Sequence, residues 1–382
     1  MARWLAVLTL NAACTGSACL SILECSTDIE TRSSALLQVQ APSVSKTAVE
    51  NRELDGLGSA KVLEREPGAH KQEPSTVSTA PRPYTILTAF VGRRDRFPIL
   101  AEYFRLLVDQ GDVNELHFWD YTETDEDREV MKEKADSLGA RILSPASAEN
   151  RDFNSSKWAA YYHFYATAFQ LPKVVAPDDA VLVKVDDDIV YIDTDKFQDF
   201  VETAARRTDM FAVHANIVNS GVAAYYQQQH GAFSHLNLEY PVTDGQPGMM
   251  GSLVTHPALA LSLHRQFLEH PKAFAWEGDC IVFHHPNTTL FPAQGRTSIN
   301  FMALRSAAWK TAWQLVQGAR GNNHDRVSDE VMLTTGATAS GLQECIVPFF
   351  NVVHLSFSSQ HSIDPVVLPW YRRLLFSRLQ QG

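Results

Sequence analysis

Residues 180–192 read Ala-Val-Leu-Val-Lys-Val-Asp-Asp-Asp-Ile-Val-Tyr-Ile, and no other stretch limits the fold as strongly. An apolar run of strand length ends in three consecutive carboxylates, Asp186, Asp187 and Asp188, and a second short apolar run follows. Continuous Val/Leu composition suits a strand buried on both faces, as in a parallel sheet. The acids then fall at the strand's C-terminal edge, where open α/β sheets place their ligands. Adjacent carboxylates repel: at about 4 Å each pair costs about 1 kcal/mol in water and about 4 kcal/mol at an effective dielectric of about 20. A hard divalent cation reverses that sign, because Mg²⁺, Ca²⁺ and Mn²⁺ prefer oxygen ligands. The alternative is a polar turn whose carboxylates cap a helix or stay solvated.

The chain around this stretch has 382 residues, 45% of them apolar, enough for one large core or two moderate ones. A net charge of −11 argues against a nucleic-acid polymer as partner, since phosphate backbones select basic surfaces. It leaves room for a nucleotide held through a metal. Residues 1–25 carry Arg3 and then no charge from Trp4 to Leu23, which reads as either a cleaved signal peptide or an uncleaved single-pass anchor. Both readings place the body on the lumenal side of the secretory pathway. Residues 26–83 are rich in Ser, Thr, Glu, Pro and Lys and poor in periodic apolar residues, so they read as a disordered stem. Cys14, Cys19 and Cys25 lie in the leader; Cys280 and Cys345 lie in the body, as one disulfide or as two buried thiols. No CxxC pair supports a zinc ribbon.

From residue 84 to 382 the pattern is globular, and strands alternate with helices. Strands are expected over 84–91, 113–119, 140–143, 180–192, 210–213, 299–304 and 345–357. Helices are expected over 97–108, 122–138, 156–169, 194–205, 259–269, 307–316 and 328–335, with Ser328 as an N-cap and a closing helix in the last dozen residues. Residues 216–226 look irregular. The alternation predicts an α/β fold with a mostly parallel central sheet.

Lys184-Val185-Asp186-Asp187-Asp188-Ile189-Val190 resembles the DxD motif of the GT-A class of nucleotide-sugar-dependent glycosyltransferases. Asp329-Glu330-Val331 resembles that class's acidic motif near the acceptor, and Val352-Val353-His354-Leu355 its late metal-binding histidine. The resemblance covers residues 84 to 361, and the leader–stem–body layout is similar to that of Golgi glycosyltransferases. It implies a GT-A-like, Rossmann-type single catalytic domain, a nucleotide-sugar donor (a UDP-sugar by default) and a glycan, glycoprotein or glycolipid acceptor. It implies further that Asp188 binds the metal directly, that Asp186 binds it through water or contacts the ribose, and that Asp187 has a lesser part. His354 as a nitrogen ligand moves the preference from Mg²⁺ toward Mn²⁺; a histidine among valines is otherwise a core residue.

Nucleotide contacts are expected from the C-terminal ends of the first strands: Thr88, Phe90, Arg93 and Asp120, with Lys157 before the triplet as a further phosphate contact. Arg93 and Arg94 could pair with a diphosphate, but an exposed arginine pair reads first as solvated surface. The aromatics Trp158, Tyr161, Tyr162, Phe164 and Tyr165 stand at helical spacing and read as core. For an inverting reaction, Asp329 and then Glu330 are the candidate general bases, although acids in a first helical turn also serve the macrodipole. Asn216 and Asn219 are candidate sugar contacts or turn residues. Sequons at Asn154 and Asn287 agree with a lumenal body.

Two rivals stand beside this reading. Asp186-x-Asp188-x-Val190 also fits the nucleophile motif of haloacid-dehalogenase-like phosphatases, with Asp186 attacking phosphorus. That fold opens with its motif strand, whereas about a hundred globular residues precede this one. A non-catalytic calcium- or carbohydrate-binding module is the second; EF-hand spacing fails because Tyr191 stands where the loop needs Gly.

Overall fold

In the computed structural model, which describes residues 82–144, 180–234, 255–283, 297–320, 329–337 and 340–380, the first expected strand is β1, Thr85–Val91, buried along its whole length. It pairs in parallel with β2, Glu115–Asp120, on one side and β4, Val181–Asp186, on the other. β3, Arg141–Leu143, continues the parallel set beyond β2. The other strands are β5, Ile189–Ile192; β6, Ala212–Val218; β7, Ile281–Phe283; β8, Phe301–Arg305; and β9, Glu344–His354. Their order is β3-β2-β1-β4-β8-β6-β9-β5, with β7 also on β9. β8 is antiparallel to both neighbours, β5 and β7 are antiparallel to β9, and β6 and β9 are parallel. Six of the nine described strands therefore point one way, which is the mostly parallel α/β sheet that the sequence predicts.

The helices are α1, Phe97–Asp109; α2, Asp125–Leu138; α3, Phe197–Arg206; α4, Gly221–Gln229; α5, Pro257–Glu269; α6, Ser306–Arg320; and α7, Asp364–Leu379. α1 buries Phe97, Leu100, Ala101, Phe104 and Leu107, one face at spacings of three and four. α2 starts three residues later than its charge pattern suggests, because the Thr124 side chain accepts the Asp127 N–H and caps it there. Alternation along β4 sends Val181, Val183 and Val185 into the core shared with α1, α3 and α5. Leu182 joins Phe90, Trp119 and Met302 on the opposite face, under Trp309 of α6 and Leu333. Lys184 and Asp186 share that second face by the same period.

The sequence misplaces three segments. Residues 216–226, expected to be irregular, complete β6 and begin α4. The helix expected over 328–335 is a single turn, Asp329–Val331, followed by a wider π-type turn, Met332–Gly336. The closing helix begins at Asp364 rather than within the last dozen residues, since Pro365 enters its first turn without a missing hydrogen bond. The leader, most of the stem, the helix expected over 156–169 and both sequons lie outside the described residues. Among the described residues, no helix is long and apolar enough to cross a membrane.

One topological constraint shapes the site. Four sheet steps separate β4 from β5, about 19 Å in a flat sheet. Only Asp187 and Asp188 link them, a span of about 11 Å at most. The sheet must fold over, and the β6–β9 ladder shows where: its register jumps from Ala215↔Val347 to Asn216↔Asn351. The folded-over end of β9 carries His354, paired with Ile189 immediately after the acidic turn.

Cys280 and Cys345 form a disulfide with their Cα atoms 5.6 Å apart, fastening the start of β7 to β9. It closes a separation of 65 residues. Reduction is therefore expected to lower stability by about 2–4 kcal/mol. A thermal melt unchanged by reductant would contradict this.

Candidate functional site

β1 and β4 are parallel neighbours, and the chain leaves β1 toward β2 on one side but leaves β4 toward the far edge of the sheet. That is a topological switch point, and the crevice outside its strand ends is where open α/β sheets bind ligands. Gly92 and Arg93 follow β1 there, and Asp186, which pairs with Phe90 in register, ends β4.

Asp187 is buried and ties the two strand ends together. Its Oδ2 accepts the Gly92 N–H at 2.8 Å, and its Oδ1 accepts from the Arg93 Nε and terminal guanidinium nitrogen. Burial pushes its carboxyl up, against the pull of Arg93. A Cβ at position 92 would meet Asp187 Oδ2 and the Tyr121 carbonyl, both at 3.3 Å, so glycine allows this close approach.

Asp188 faces the other way. Its Oδ2 accepts from Arg93 at 2.8 Å and lies 3.4 Å from His354 Nε2. Its Oδ1 is buried with no hydrogen-bond partner among the described residues. Burial works to raise this carboxyl, but His354 and Arg93 together hold it well below the usual carboxylate range. The backbone fixes the pair: the Leu355 N–H donates to the Asp188 carbonyl at 2.8 Å. The Leu355 carbonyl in turn accepts from Asn219 Nδ2 at 3.2 Å and from His264 Nε2 at 2.8 Å. With Nε2–H donating, His264 Nδ1 accepts a hydrogen bond from the Tyr371 hydroxyl at 3.0 Å, and burial lowers the His264 pKa to about 4. It is a neutral strut. Asn219 stands at φ 65°, a left-handed position that asparagine tolerates better than most residues.

Asp186, 23% exposed at its side chain, is held differently. Lys184 Nζ donates to its Oδ1 at 2.6 Å and to the Ile299 carbonyl at 3.0 Å, and Asn300 Nδ2 donates to its Oδ2 at 2.8 Å. The structure thus brings Asp188 and His354 together and commits Asp186 to Lys184 and Asn300. Among the described residues, no group of three His, Cys, Asp or Glu side chains could hold a metal ion by itself. The Asp188–His354 pair still fits a cation that completes its shell with water and substrate phosphate, as Mg²⁺ and Mn²⁺ do. It has a carboxylate oxygen buried without a partner among the described residues and an adjacent imidazole nitrogen, and nitrogen suits Mn²⁺ better.

The other expected contacts are dispersed. Thr88 is fully buried in the middle of β1, beside Lys184, and does not stand at the strand's end. Phe90 packs against Tyr121 at 5.1 Å and lies over the Lys184 ammonium at 4.8 Å. Asp120 is taken up locally: Oδ1 accepts from Thr122 and Oδ2 from Arg128 at 3.1 Å. Arg94 is surface, with its side chain beside Glu126 and Asp127. Asn216 is buried within β6, where Nδ2 donates to the Phe274 and Pro348 carbonyls and Oδ1 accepts from Gln227. Lys157 lies outside the described residues. Asp329 is buried, accepts the Glu330 N–H at 3.0 Å, and opens the turn that carries Leu333 onto the sheet face of Lys184 and Asp186.

Sequence reasoning did not single out Asn300 or His264, and Asn219, expected as a sugar contact or turn residue, is a buried strut on the Leu355 carbonyl. Each is a polar residue in an apolar run, a signal shared by many structural positions.

No family model matches the chain, and no curated protein matches it. Among solved structures, glucosyl-3-phosphoglycerate synthase from Mycobacterium tuberculosis in complex with phosphoglyceric acid aligns at 19% identity over 36% of this chain and 44% of that chain, with a TM-score of 0.27. The same enzyme in complex with Mn²⁺, UDP and glucosyl-3-phosphoglycerate aligns at 12% identity over 70% of this chain and 71% of that one, with a TM-score of 0.34. Core-mannan synthase A from Aspergillus fumigatus in its Mn/GDP form aligns at 10% identity over 69% and 72%, with a TM-score of 0.29. At these values the likeness does not bear on the chemistry, which rests on the residues themselves.

Proposed function

We propose that this chain is a metal-dependent glycosyltransferase of GT-A type, moving a sugar from a nucleotide-sugar donor, a UDP-sugar by default, to a hydroxyl acceptor on a glycan, glycoprotein or glycolipid. One observation carries the reading. At the switch point of the sheet, the last acid of the DxD-like triplet meets the late histidine, and its second oxygen is buried without a partner among the described residues.

Asp188 and His354 would hold the cation. When bound, it stabilises the negative charge of the departing nucleoside diphosphate as a Lewis acid. Arg93, 40% exposed at its side chain, adds a positive charge at the same crevice. Asp186, oriented by Lys184 and Asn300, keeps a fixed acceptor pair for water or for a ribose hydroxyl. Asp329, with Glu330 as second choice, takes the acceptor's proton if the reaction inverts. The disulfide supports a lumenal, oxidising setting, and with the leader it favours the secretory pathway, in the Golgi or ER lumen.

Against the phosphatase alternative, that mechanism needs Asp188 to give and take a proton near neutral pH. Its Oδ2 is instead bonded to Arg93 and set against His354, and Asp186, the nucleophile in that mechanism, has both oxygens engaged by Lys184 and Asn300.

A panel of nucleotide sugars with Mn²⁺ or with chelator, run beside a generic phosphate ester, tests the reading. Mn²⁺-dependent nucleotide release is expected, and ester hydrolysis without it would favour the phosphatase. Asp329→Asn is expected to lower kcat by roughly 100-fold or more with little change in donor KM, in the range of a lost general base. An unchanged kcat removes Asp329 from the mechanism.

A further inference from the structure

Arg93 bridges two acids that differ in what else they do. Toward Asp187 the guanidinium makes two contacts, and that carboxylate is buried and also holds the Gly92 N–H. This side is an anchor. Toward Asp188 it makes one contact, to the Oδ2 that also faces His354 Nε2, while Oδ1 has no partner among the described residues. This side is a single bond to the oxygen nearest the imidazole. A cation settling between Asp188 and His354 meets an oxygen already satisfied by a positive group, and it is repelled by that group.

Resting on the glycosyltransferase reading, we propose that Arg93 and the divalent cation compete for Asp188 Oδ2, and that a nucleoside diphosphate relieves the competition by accepting the N–H groups Arg93 gives up. Asp187 keeps the guanidinium at the crevice throughout, so release from Asp188 turns it toward the ligand rather than into solvent. Charge bookkeeping agrees. Asp187, Asp188 and Arg93 sum to −1; a divalent cation makes the set +1, which favours an anionic diphosphate. Cation and diphosphate then bind as a coupled pair, and each binds poorly alone.

The test is Mn²⁺ binding to the full-length chain, followed by electron paramagnetic resonance, with and without UDP. For Arg93→Ala, Mn²⁺ alone is expected to bind about 10-fold more tightly than to the parent, and UDP, which tightens Mn²⁺ binding by about 30-fold in the parent, is expected to tighten it by only about 3-fold, the part its phosphates supply as metal ligands, within the span of ordinary coupling factors. Arg93→Lys, which keeps the charge but loses the fork, is expected to fall between them, and it decides the matter if the alanine variant does not fold. Unchanged or weaker Mn²⁺ binding in the variants, with the parent binding Mn²⁺ and UDP, overturns the competition and leaves the glycosyltransferase reading in place. No Mn²⁺ binding by the parent, with UDP or without, overturns both.

Discussion

Asp188→Ala is expected to abolish Mn²⁺-dependent nucleotide binding, weakening it by more than about 100-fold while the protein stays folded. Mutating even the outer partners of metal ligands costs roughly 10–100-fold in affinity, and Asp188 is the ligand itself in this account. The fold survives for local reasons. The hydrogen bond from the Leu355 N–H goes to the Asp188 backbone carbonyl, which alanine retains. Arg93 keeps Asp187 as a partner, and a like-charge repulsion between neighbouring acids disappears. Equilibrium binding of a UDP-sugar with and without Mn²⁺, beside a circular dichroism melt, checks both halves. Full retention of metal-dependent binding removes Asp188 from the site.

The largest expected loss of stability is at the start of α1. Arg96 and Asp364 join the starts of α1 and α7 at 2.8 Å, with side chains only 4% and 10% exposed. Arg96 is also paired with Asp95, but that acid is nearly half exposed and is the weaker partner. Asp364→Ala leaves a guanidinium buried with its main counter-charge gone, and breaking such a pair costs about 3–5 kcal/mol. In a chain of this size that lowers Tm by about 5–10 °C. Asp364→Asn, which keeps the packing and one hydrogen bond, is expected to lose less. A melt of Asp364→Ala within about 1 °C of the parent would contradict the assignment.

Much of this architecture is legible in the sequence because its strands are buried on both faces. Residues 84–91 and 180–186 are nearly continuous Val, Leu, Ile, Ala and Phe, and such runs have few other uses. The amphipathic spacing of α1 is equally direct, since Phe97, Leu100, Phe104 and Leu107 recur at three and four. β6 shows where this logic stops. Its Asn216 looks like a turn residue, but two carbonyls and Gln227 satisfy its amide inside the core, and no local pattern reveals partners that lie far along the chain. The turn beginning at Asp329 departs from the expected helix for a related reason. Its acids and following residues have helical propensity, yet the wider π-type turn after it is set by tertiary packing on the sheet.

The site divides in the same way. Asp188 and His354, 166 positions apart in the chain, could be paired on paper only through a resemblance, because nothing local joins them. The two-residue link from β4 to β5, together with the pairing of β5 to β9, brings them together. Local chemistry explains the positions that moved away from the ligand. Asp120 meets the Thr122 hydroxyl and Arg128 before it can meet a base, and Thr88 sits in the middle of a strand whose end alone reaches the crevice. Asp187 gains most from the structure: the member of the triplet given the lesser part ties the β1 loop to the acidic turn.

In the proposed site, Asp188 and His354 hold a cation against the diphosphate of a nucleotide. Pulsed electron spin-echo spectroscopy of Mn²⁺ bound to the full-length chain with UDP tests it most directly, because it reads the nuclei around the metal. Nitrogen coupling from one imidazole, lost in His354→Ala, is expected together with phosphorus coupling from UDP. Mn²⁺ showing only water protons, or nitrogen coupling that persists in His354→Ala, would contradict it.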